Sequence, residues 1–367
     1  MKRIALVAAV LAALVSCGPK SLFSGHIRGI ESGQLMFVYS SDGDSGEMVM
    51  DTVRLGKDGS FRWDPPVAEN GVLMIVDPAR FIDYQTFSVY PGQQCVIEGT
   101  LTDYEVSGSR YYKDWGVFQK MAAGNAAARH DLMASIPEEE DPDYDMAEYS
   151  AKDRALKAEW DKLAVEYIKQ HPASEVCAYL AHELSKADDF YEVEEIIAPE
   201  VKKGPMGYLI EKKSLALDAE ALRQASAKDI YEGAVAPDFS LPTSTDGTFT
   251  LSEYRGRYVL LDFWGTWCGW CIEGLPTVKS IAHSYADRLT VVSVDTRDSK
   301  QAWLKGIEEY GMDWVQVYNS DEDAIDAKYA VQGFPGFYLI DPEGIIRMIA
   351  FGEPAHFVEK IGELISE

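Results

Sequence analysis

The segment Trp267-Cys268-Gly269-Trp270-Cys271 contains two cysteines separated by two residues. It follows the apolar run 258–263, which is typical of a buried strand, and it opens a stretch with helical character. Two cysteines at this spacing at a helix start can close a small disulfide. The helix dipole and the free backbone N–H groups there also favour a thiolate on the first cysteine. We interpret the two cysteines as a redox pair rather than as a structural crosslink.

An inert structural disulfide and a zinc site are the alternatives for this cysteine spacing, and a zinc site requires a second pair of ligands. The remaining cysteines, Cys17, Cys95 and Cys177, occur singly, and none of the six histidines has a metal-binding spacing. We therefore expect no metal and no cofactor. Cys95 and Cys177 fall in different predicted regions, so we expect two buried free thiols, with a disulfide between them as the alternative.

The length and the charge of the chain limit the possible functions. A chain of 367 residues is long for one domain and predicts two or three. The formal net charge of −26 opposes binding to nucleic acid, because the phosphates would be repelled.

The N-terminus has the features of a secretion signal. Lys2 and Arg3 form a short basic segment, and the apolar residues 4–15 are fewer than the about 20 that a membrane span needs. Residues 14–17, Leu-Val-Ser-Cys, resemble the lipobox of bacterial lipoproteins. We expect a signal peptide over residues 1–17 with Cys17 lipidated; a plain secretory signal or an uncleaved anchor is the alternative. The chain would then be a membrane-anchored lipoprotein of the bacterial cell envelope that faces the periplasm, where disulfides persist.

The rest of the chain predicts a multidomain protein with three regions. Residues 22–105 contain short apolar or alternating segments separated by turn signals, which indicates a small antiparallel β domain, sandwich-like in form. Residues 106–230 have apolar side chains at helical spacing, with the acidic run 138–145 as a solvated loop. In residues 233–367 strands alternate with helices and end in a hairpin and a helix, which predicts an α/β domain with a mixed sheet.

The last region resembles the TlpA/ResA-like thiol–disulfide oxidoreductases of bacterial envelopes, which have a thioredoxin fold. The resemblance rests on Ala-Pro-Asp-Phe at 236–239, on the strand before the cysteines and on Gly-Phe-Pro at 333–335. It covers a little over a third of the chain. The β domain and the helical region are more loosely similar to regions that precede such domains in some lipoproteins.

The resemblance assigns a task to three residues near the motif. Cys268 would be the nucleophile, exposed at the helix start with a lowered pKa. Cys271, one turn into the helix and shielded, would resolve the mixed disulfide. Asp262, six residues before Cys268, would be a buried carboxyl that takes the proton from Cys271, since burial raises its pKa towards neutrality. A capped aspartate, or one at the edge of the strand, is the alternative.

The resemblance also implies a substrate-binding surface. Pro335 would be a cis-proline that faces the cysteines, and it would leave the backbone of Phe334 free to pair with an extended substrate strand. Trp267 and Trp270 flank the cysteines and would form an apolar landing surface, with ordinary packing as the alternative for one of them.

Three positions depart from the family pattern. The dipeptide Gly269-Trp270 between the cysteines has no proline, Gly274 stands where a glutamate is common, and Gly336 follows the cis-proline where threonine or serine is usual. These departures leave the exchange chemistry in place but loosen any inference about the reduction potential or the partner.

We therefore expect an enzyme that reduces disulfides of envelope proteins and is itself reduced by an unidentified upstream electron donor. A peroxiredoxin-like peroxidase is one alternative, because peroxiredoxins share the Ala-Pro-Asp-Phe opening, but they use a lone peroxidatic cysteine. The other alternative is a partner-binding lipoprotein in which residues 22–230 bind the partner and the redox domain acts as a switch.

Overall fold

The computed structural model describes residues 22–41, 48–65, 70–90, 92–136 and 145–366. The predicted signal peptide with Cys17, and all but the last residue of the acidic run, lie outside these ranges. Within them, no helix combines the length and the apolar character needed to cross a membrane. The described residues form two compact units, 22–163 with 174–176, and 164–173 with 177–366.

Eight strands form two four-stranded sheets in the first unit. The strands are β1 (Leu22–Ile27), β2 (Gln34–Ser41), β3 (Met48–Arg54), β4 (Ser60–Trp63), β5 (Gly71–Asp77), β6 (Arg80–Val89), β7 (Gln94–Gly99) and β8 (Tyr104–Gly108). The sheet orders are β4-β1-β7-β8 and β3-β2-β5-β6. All of these pairings are antiparallel apart from that of β1 with β7, which is parallel.

Aromatic side chains from both sheets meet in the core of this unit. The ring of Phe23 on β1 lies 6.1 Å from that of Phe87 on β6, and Phe37 on β2 stacks on Trp63 of β4 at 5.0 Å. The two sheets therefore face each other, which confirms the predicted sandwich. The parallel pair arises because the chain passes through the other sheet between β1 and β7.

The described residues after the sandwich form six helices, in the region where the apolar spacing predicts helical structure. They are α1 (Arg110–Ala134), α2 (Met146–Gln170), α3 (Val176–Glu183), α4 (Ala187–Ile196), α5 (Pro199–Lys202) and α6 (Tyr208–Ser226). Tyr112, Trp115 and Phe118 form the buried face of α1. Residues 177–226 belong to the same compact unit as the α/β region, whereas composition placed them with the preceding helices. The boundaries at residues 105 and 230 stay predictions.

The α/β region contains seven strands and four α-helices. They are β9 (Ser240–Pro242), β10 (Thr248–Thr250), β11 (Tyr258–Trp264), α7 (Gly269–Ser284), β12 (Leu289–Thr296), α8 (Lys300–Tyr310), β13 (Val315–Asn319), α9 (Ile325–Lys328), β14 (Gly336–Ile340), β15 (Ile346–Phe351) and α10 (Val358–Leu364). Five strands form one sheet in the order β13-β12-β11-β14-β15. The first three are parallel, and β14 and β15 are antiparallel to their neighbours. This mixed sheet has the predicted thioredoxin-like architecture.

Strand β11 is the centre of this sheet and is covered on both faces. Val259, Leu261 and Phe263 pack into one apolar cluster, and Leu260 belongs to the cluster on the opposite face. Successive side chains of a strand alternate between faces, so Asp262 and Trp264 share the face of Leu260. A carboxyl group is thereby placed inside the core.

Helix α6 is attached to the α/β region by an ion pair. Arg223 Nη2 donates to Asp326 Oδ2 at 2.9 Å, and Arg223 Nη1 donates to Glu220 at 2.6 Å. Asp326 is only 8% exposed, and its other oxygen accepts from Asn319 Nδ2 at 3.2 Å. The guanidinium therefore satisfies a buried carboxylate.

The variant Arg223→Ala is expected to lower the free energy of unfolding by about 1–3 kcal/mol, because it leaves the carboxylate of Asp326 without its cation. Urea unfolding of the full chain measures this difference. Lys228→Ala, which removes an exposed cation five residues later, is the matched control and should change stability by less than about 0.5 kcal/mol. Equal effects of both variants would show that the pair does not hold α6 in place.

Candidate active site

The two motif cysteines lie at the N-terminus of α7. Cys268 is the residue before the first turn, and its Sγ accepts a hydrogen bond from the backbone N–H of Cys271 at 3.1 Å. The two sulfurs form a disulfide with the Cα atoms 5.2 Å apart. The helix dipole and the N–H of Cys271 both stabilise negative charge on the sulfur of Cys268. This cysteine is therefore suited to react as a thiolate.

The disulfide is less accessible than the sequence suggests. Cys268 is 6% exposed and Cys271 is 2% exposed, so the prediction that Cys268 is exposed is wrong for the disulfide form. Both cysteines belong to an apolar cluster with Trp264, Leu275 and Trp303, and partly buried side chains such as Phe334 pack against this cluster. The prediction that Cys271 is shielded agrees with its exposed fraction of 2%.

Asp262 lies on β11, on the face that carries Trp264 and the cysteine cluster, and is 1% exposed. Burial raises the pKa of its carboxyl group to about 7, against the opposing effect of a hydrogen bond from Ser293 Oγ at 2.7 Å. Ser293 Oγ in turn accepts from Trp314 Nε1 at 2.8 Å. A carboxyl group that titrates near neutral pH can both take up and release a proton under physiological conditions.

The segment that contains Pro335 lies beside the cysteines. The Phe334–Pro335 peptide bond is cis, as predicted. The side chain of Phe334 packs against the cysteine cluster, and its ring meets that of Trp267 edge-on at 5.1 Å. The carbonyl of Pro335 accepts from the N–H of Gly352 at 2.9 Å. No backbone hydrogen bond of Phe334 is present among the described residues, so its N–H and C=O remain open to another chain.

The two tryptophans of the motif have different environments. Trp267 is 46% exposed, and its Nε1 donates to the carbonyl of Thr296 at 2.8 Å, which holds the ring in place. Trp270 is 73% exposed. The structure thus fixes one ring at the edge of the site and leaves the other projecting into solvent.

Sequence reasoning missed the residues that follow β12. Asp298 accepts two hydrogen bonds from Thr266, one from its backbone N–H and one from its hydroxyl, both at 2.7 Å. The guanidinium of Arg297 lies 5.4 Å from the ring centre of Trp267 and 5.1 Å from that of Phe334. Since β11 and β12 are parallel neighbours, their ends meet at one edge of the sheet, and this rule could have located both residues.

A second buried carboxyl group, that of Asp295, lies at the end of β12. Its side chain is fully buried, and neither oxygen accepts a hydrogen bond from the described residues. Burial, together with the carboxylate of Asp298, raises its pKa to about 10. Burial and the neighbouring negative charge therefore both favour the protonated form of Asp295.

Comparison with known proteins identifies the α/β domain. Residues 233–349 match the model of the AhpC/TSA family. The chain is 34% identical over 125 residues to the thioredoxin-like protein YneN of Bacillus subtilis, which is 34% of this chain and 73% of that protein. It is 33% identical over 129 residues to the thiol-disulfide oxidoreductase ResA of the same organism, 35% of this chain and 72% of that protein. The chain belongs to the thioredoxin-like thiol-disulfide oxidoreductases.

Further members of the family come from other bacteria. The thiol:disulfide interchange protein DsbE of Xylella fastidiosa (strain Temecula1) is 30% identical over 125 residues, which span 34% of this chain and 62% of that protein. Among solved structures, the thioredoxin domain of a thiol-disulfide oxidoreductase from Bacteroides vulgatus is 29% identical, with a TM-score of 0.35 over 37% of this chain and 99% of that chain.

The two cysteines outside the motif that the structure describes are Cys95 and Cys177. Cys95 and Cys177 are both buried, and neither forms a disulfide, as expected. Within the described residues, no group of histidine, cysteine and carboxylate side chains is arranged to hold a metal ion.

The variant Asp262→Asn of the oxidoreductase is expected to become more stable relative to the wild type as the pH rises from 4 to 8. The carboxyl group ionises near pH 4 in the unfolded chain but only near pH 7 in the folded protein. Its contribution to the stability of the wild type is therefore fully present below pH 4 and decreases steadily as the pH rises to 7. Between pH 4 and pH 8, the free energy of unfolding of the variant relative to the wild type should change by up to about 4 kcal/mol. Urea unfolding of the oxidised protein at several pH values measures it.

The control for this prediction is Glu322→Gln, which neutralises an exposed carboxylate. Its stability relative to the wild type should change little between pH 4 and pH 8. A difference between Asp262→Asn and the wild type that stays constant over this range would mean that Asp262 ionises normally in the folded protein.

Proposed function

We propose that this oxidoreductase reduces disulfides of partner proteins in the bacterial cell envelope, with Cys268 as nucleophile, Cys271 as resolving cysteine and Asp262 as proton acceptor. The observation that carries the proposal is the hydrogen bond from the Cys271 N–H to Cys268 Sγ at the start of α7. It distinguishes the two cysteines, since only the first has the stabilised sulfur.

The exchange proceeds in two displacements. The Cys268 thiolate attacks one sulfur of the partner's disulfide, the partner's S–S bond breaks, and the other partner sulfur leaves and takes up a proton. Cys271 then loses its proton to Asp262 and attacks the Cys268 sulfur of the mixed disulfide. The second partner thiol is released, and the enzyme is left with the Cys268–Cys271 disulfide. Two electrons pass to the partner, and an upstream thiol donor restores the pair.

The surface around the cysteines supports a polypeptide substrate. We propose that the open backbone of Phe334, next to the cis-Pro335, pairs with an extended segment of the partner. The rings of Trp267 and Trp270 provide apolar area on either side of the motif, and the larger exposure of Trp270 makes it the first point of contact.

In the Cys271→Ser variant, a mixed disulfide between Cys268 and partner proteins should accumulate, because nothing resolves it. Cys268→Ser is the matched control and should trap none, since Cys271 is shielded. Non-reducing electrophoresis and mass spectrometry of whole cells measure the products. Trp270→Ala in the trapping background should lower the yield, because the partner loses its apolar contact.

The direction of electron flow is tested on the wild-type pair. Equilibration with glutathione or dithiothreitol should give a reduction potential near that of thioredoxin, about −270 mV. A value near about −120 mV, as in a strong oxidant, would overturn the reductase assignment. Consumption of hydrogen peroxide in place of disulfide exchange would instead support the peroxidase.

We also propose that Cys17 anchors the protein as a lipoprotein that faces the periplasm. The support is the basic segment, the short apolar run and the lipobox at residues 14–17. An anchor of this kind would hold the enzyme in the compartment where its substrates form disulfides.

Lipidation predicts that the full chain, expressed in a bacterial host with a clickable fatty acid, incorporates the label and sediments with membranes. Cys17→Ser should lose the label, because the lipid is attached through the thiol of residue 17. Cys95→Ser, which removes a buried thiol instead, is the control and should keep the label. A wild-type chain that is cleaved but unlabelled would indicate a plain secretory signal.

A further inference from the structure

A groove runs along helix α6 beside the redox site, within the second compact unit. Its volume is about 690 Å³, in the range of cavities that hold small ligands or a few residues of a peptide. One wall is formed by α6, with Lys212, Ala216 and Ala219 among its residues. The other wall is formed by the segments that follow β12 and β13, which lie at the carboxyl edge of the parallel strands, where α/β proteins bind ligands.

Arg297 connects this groove to the cysteines. Its side chain lines the groove, and its guanidinium also lies over the rings of Trp267 and Phe334. The residue has a φ of 66°, in the left-handed region that a side chain other than glycine, asparagine or aspartate rarely adopts. The backbone therefore holds the arginine in an unusual conformation that directs it to the junction between the groove and the site.

The guanidinium of Arg297 is available to bind an anion. Across the described parts of the chain it forms no hydrogen bond or ion pair, and the residue is exposed. Among the other charged side chains of the groove, Arg223 is paired with Asp326, and Asp298 accepts from Thr266. Glu211, Lys212 and Asp321 also line the groove. A guanidinium that stacks on aromatic rings keeps its N–H edge free for two parallel hydrogen bonds to a carboxylate.

We infer that the groove along α6 binds the polypeptide segment next to the partner's disulfide and that Arg297 receives a carboxylate from that segment. The inference rests on the proposed function, since it places the same substrate. It makes Arg297 a specificity-determining residue, and it gives helix α6 a part in substrate selection. The carboxylate belongs to an aspartate or glutamate side chain, or to the chain terminus, close to the cysteine that is attacked.

Two synthetic peptides, each closed by one disulfide and differing only by Glu or Gln beside a cysteine, test the inference. Reduction of each peptide by the reduced full chain is followed, and each rate is divided by the same variant's rate with the neutral bis(2-hydroxyethyl) disulfide. The wild type should prefer the Glu peptide about tenfold, the size expected of a charge-assisted hydrogen-bonded pair. Arg297→Ala should abolish that preference, and added salt should weaken it.

Two further variants separate local binding from general charge effects. Lys300→Gln removes an exposed cation three residues from Arg297 and should keep the preference for the Glu peptide. Ala216→Trp places a large side chain in the groove and should lower the normalised rate with both peptides at least about fivefold. A preference that falls equally in Lys300→Gln and Arg297→Ala would overturn the assignment to Arg297.

A small anionic disulfide, 3,3′-dithiodipropionate, distinguishes a peptide segment from a free carboxylate. Its normalised rate should be insensitive to Ala216→Trp, because it does not reach along the groove. If Ala216→Trp lowers this normalised rate as much as it lowers the rates with the peptides, the groove binds small acids and the polypeptide assignment is wrong. Failure of the wild type to reduce any of the four disulfides would instead contradict the proposed function.

Discussion

The parallel pairing of β11 with β12 is the constraint that assembles the redox site. Trp264 lies opposite Asp295 in this register, so the segments that follow the two strands emerge at the same edge of the sheet. Hydrogen bonds from Thr266 to Asp298 and from Trp267 to Thr296 then tie one segment to the other. The position of Cys268 is consequently set by the sheet as well as by the helix that begins after it.

The same pairing places two buried carboxyl groups, those of Asp262 and Asp295, on one face of the sheet. Burial disfavours the charged form of both, but their neighbours differ. Ser293 donates to Asp262 and favours its carboxylate, whereas the negative charge of Asp298 opposes ionisation of Asp295. The pKa of Asp262 is therefore raised to about 7, whereas that of Asp295 is raised further, to about 10. Environments that separate the pKa values of neighbouring acids are a recurring way to assign acid and base roles.

Local patterns were enough to predict the cysteine motif, the central strand and the final hairpin, because apolar runs and turn residues mark them directly. They were not enough for β13, whose polar residues Gln316 and Asn319 are buried only through tertiary packing. Strand β1 was missed for a related reason. Its Gly25 interrupts the apolar pattern, yet a Cβ there would lie 1.8 Å from the carbonyl oxygen of Ile97 on the parallel neighbour. Arg297 was missed because a left-handed backbone leaves no periodic signal.

The glycine at position 274 is explained by the packing of helix α7 against Pro354. The family resemblance implies a glutamate there, but a Cβ on Gly274 would lie 2.9 Å from the ring of Pro354, so packing excludes a longer side chain on this face of α7. The buried carboxyl group of Asp262 instead lies on the sheet, away from solvent, and the stacked guanidinium of Arg297 belongs to an exposed residue. Screening limits exposed charges to a range of about 8 Å at physiological salt. In a chain with a formal net charge of −26, an exposed cation can attract an acidic segment only at short range, so partners would be selected by contact at the site rather than by the overall field.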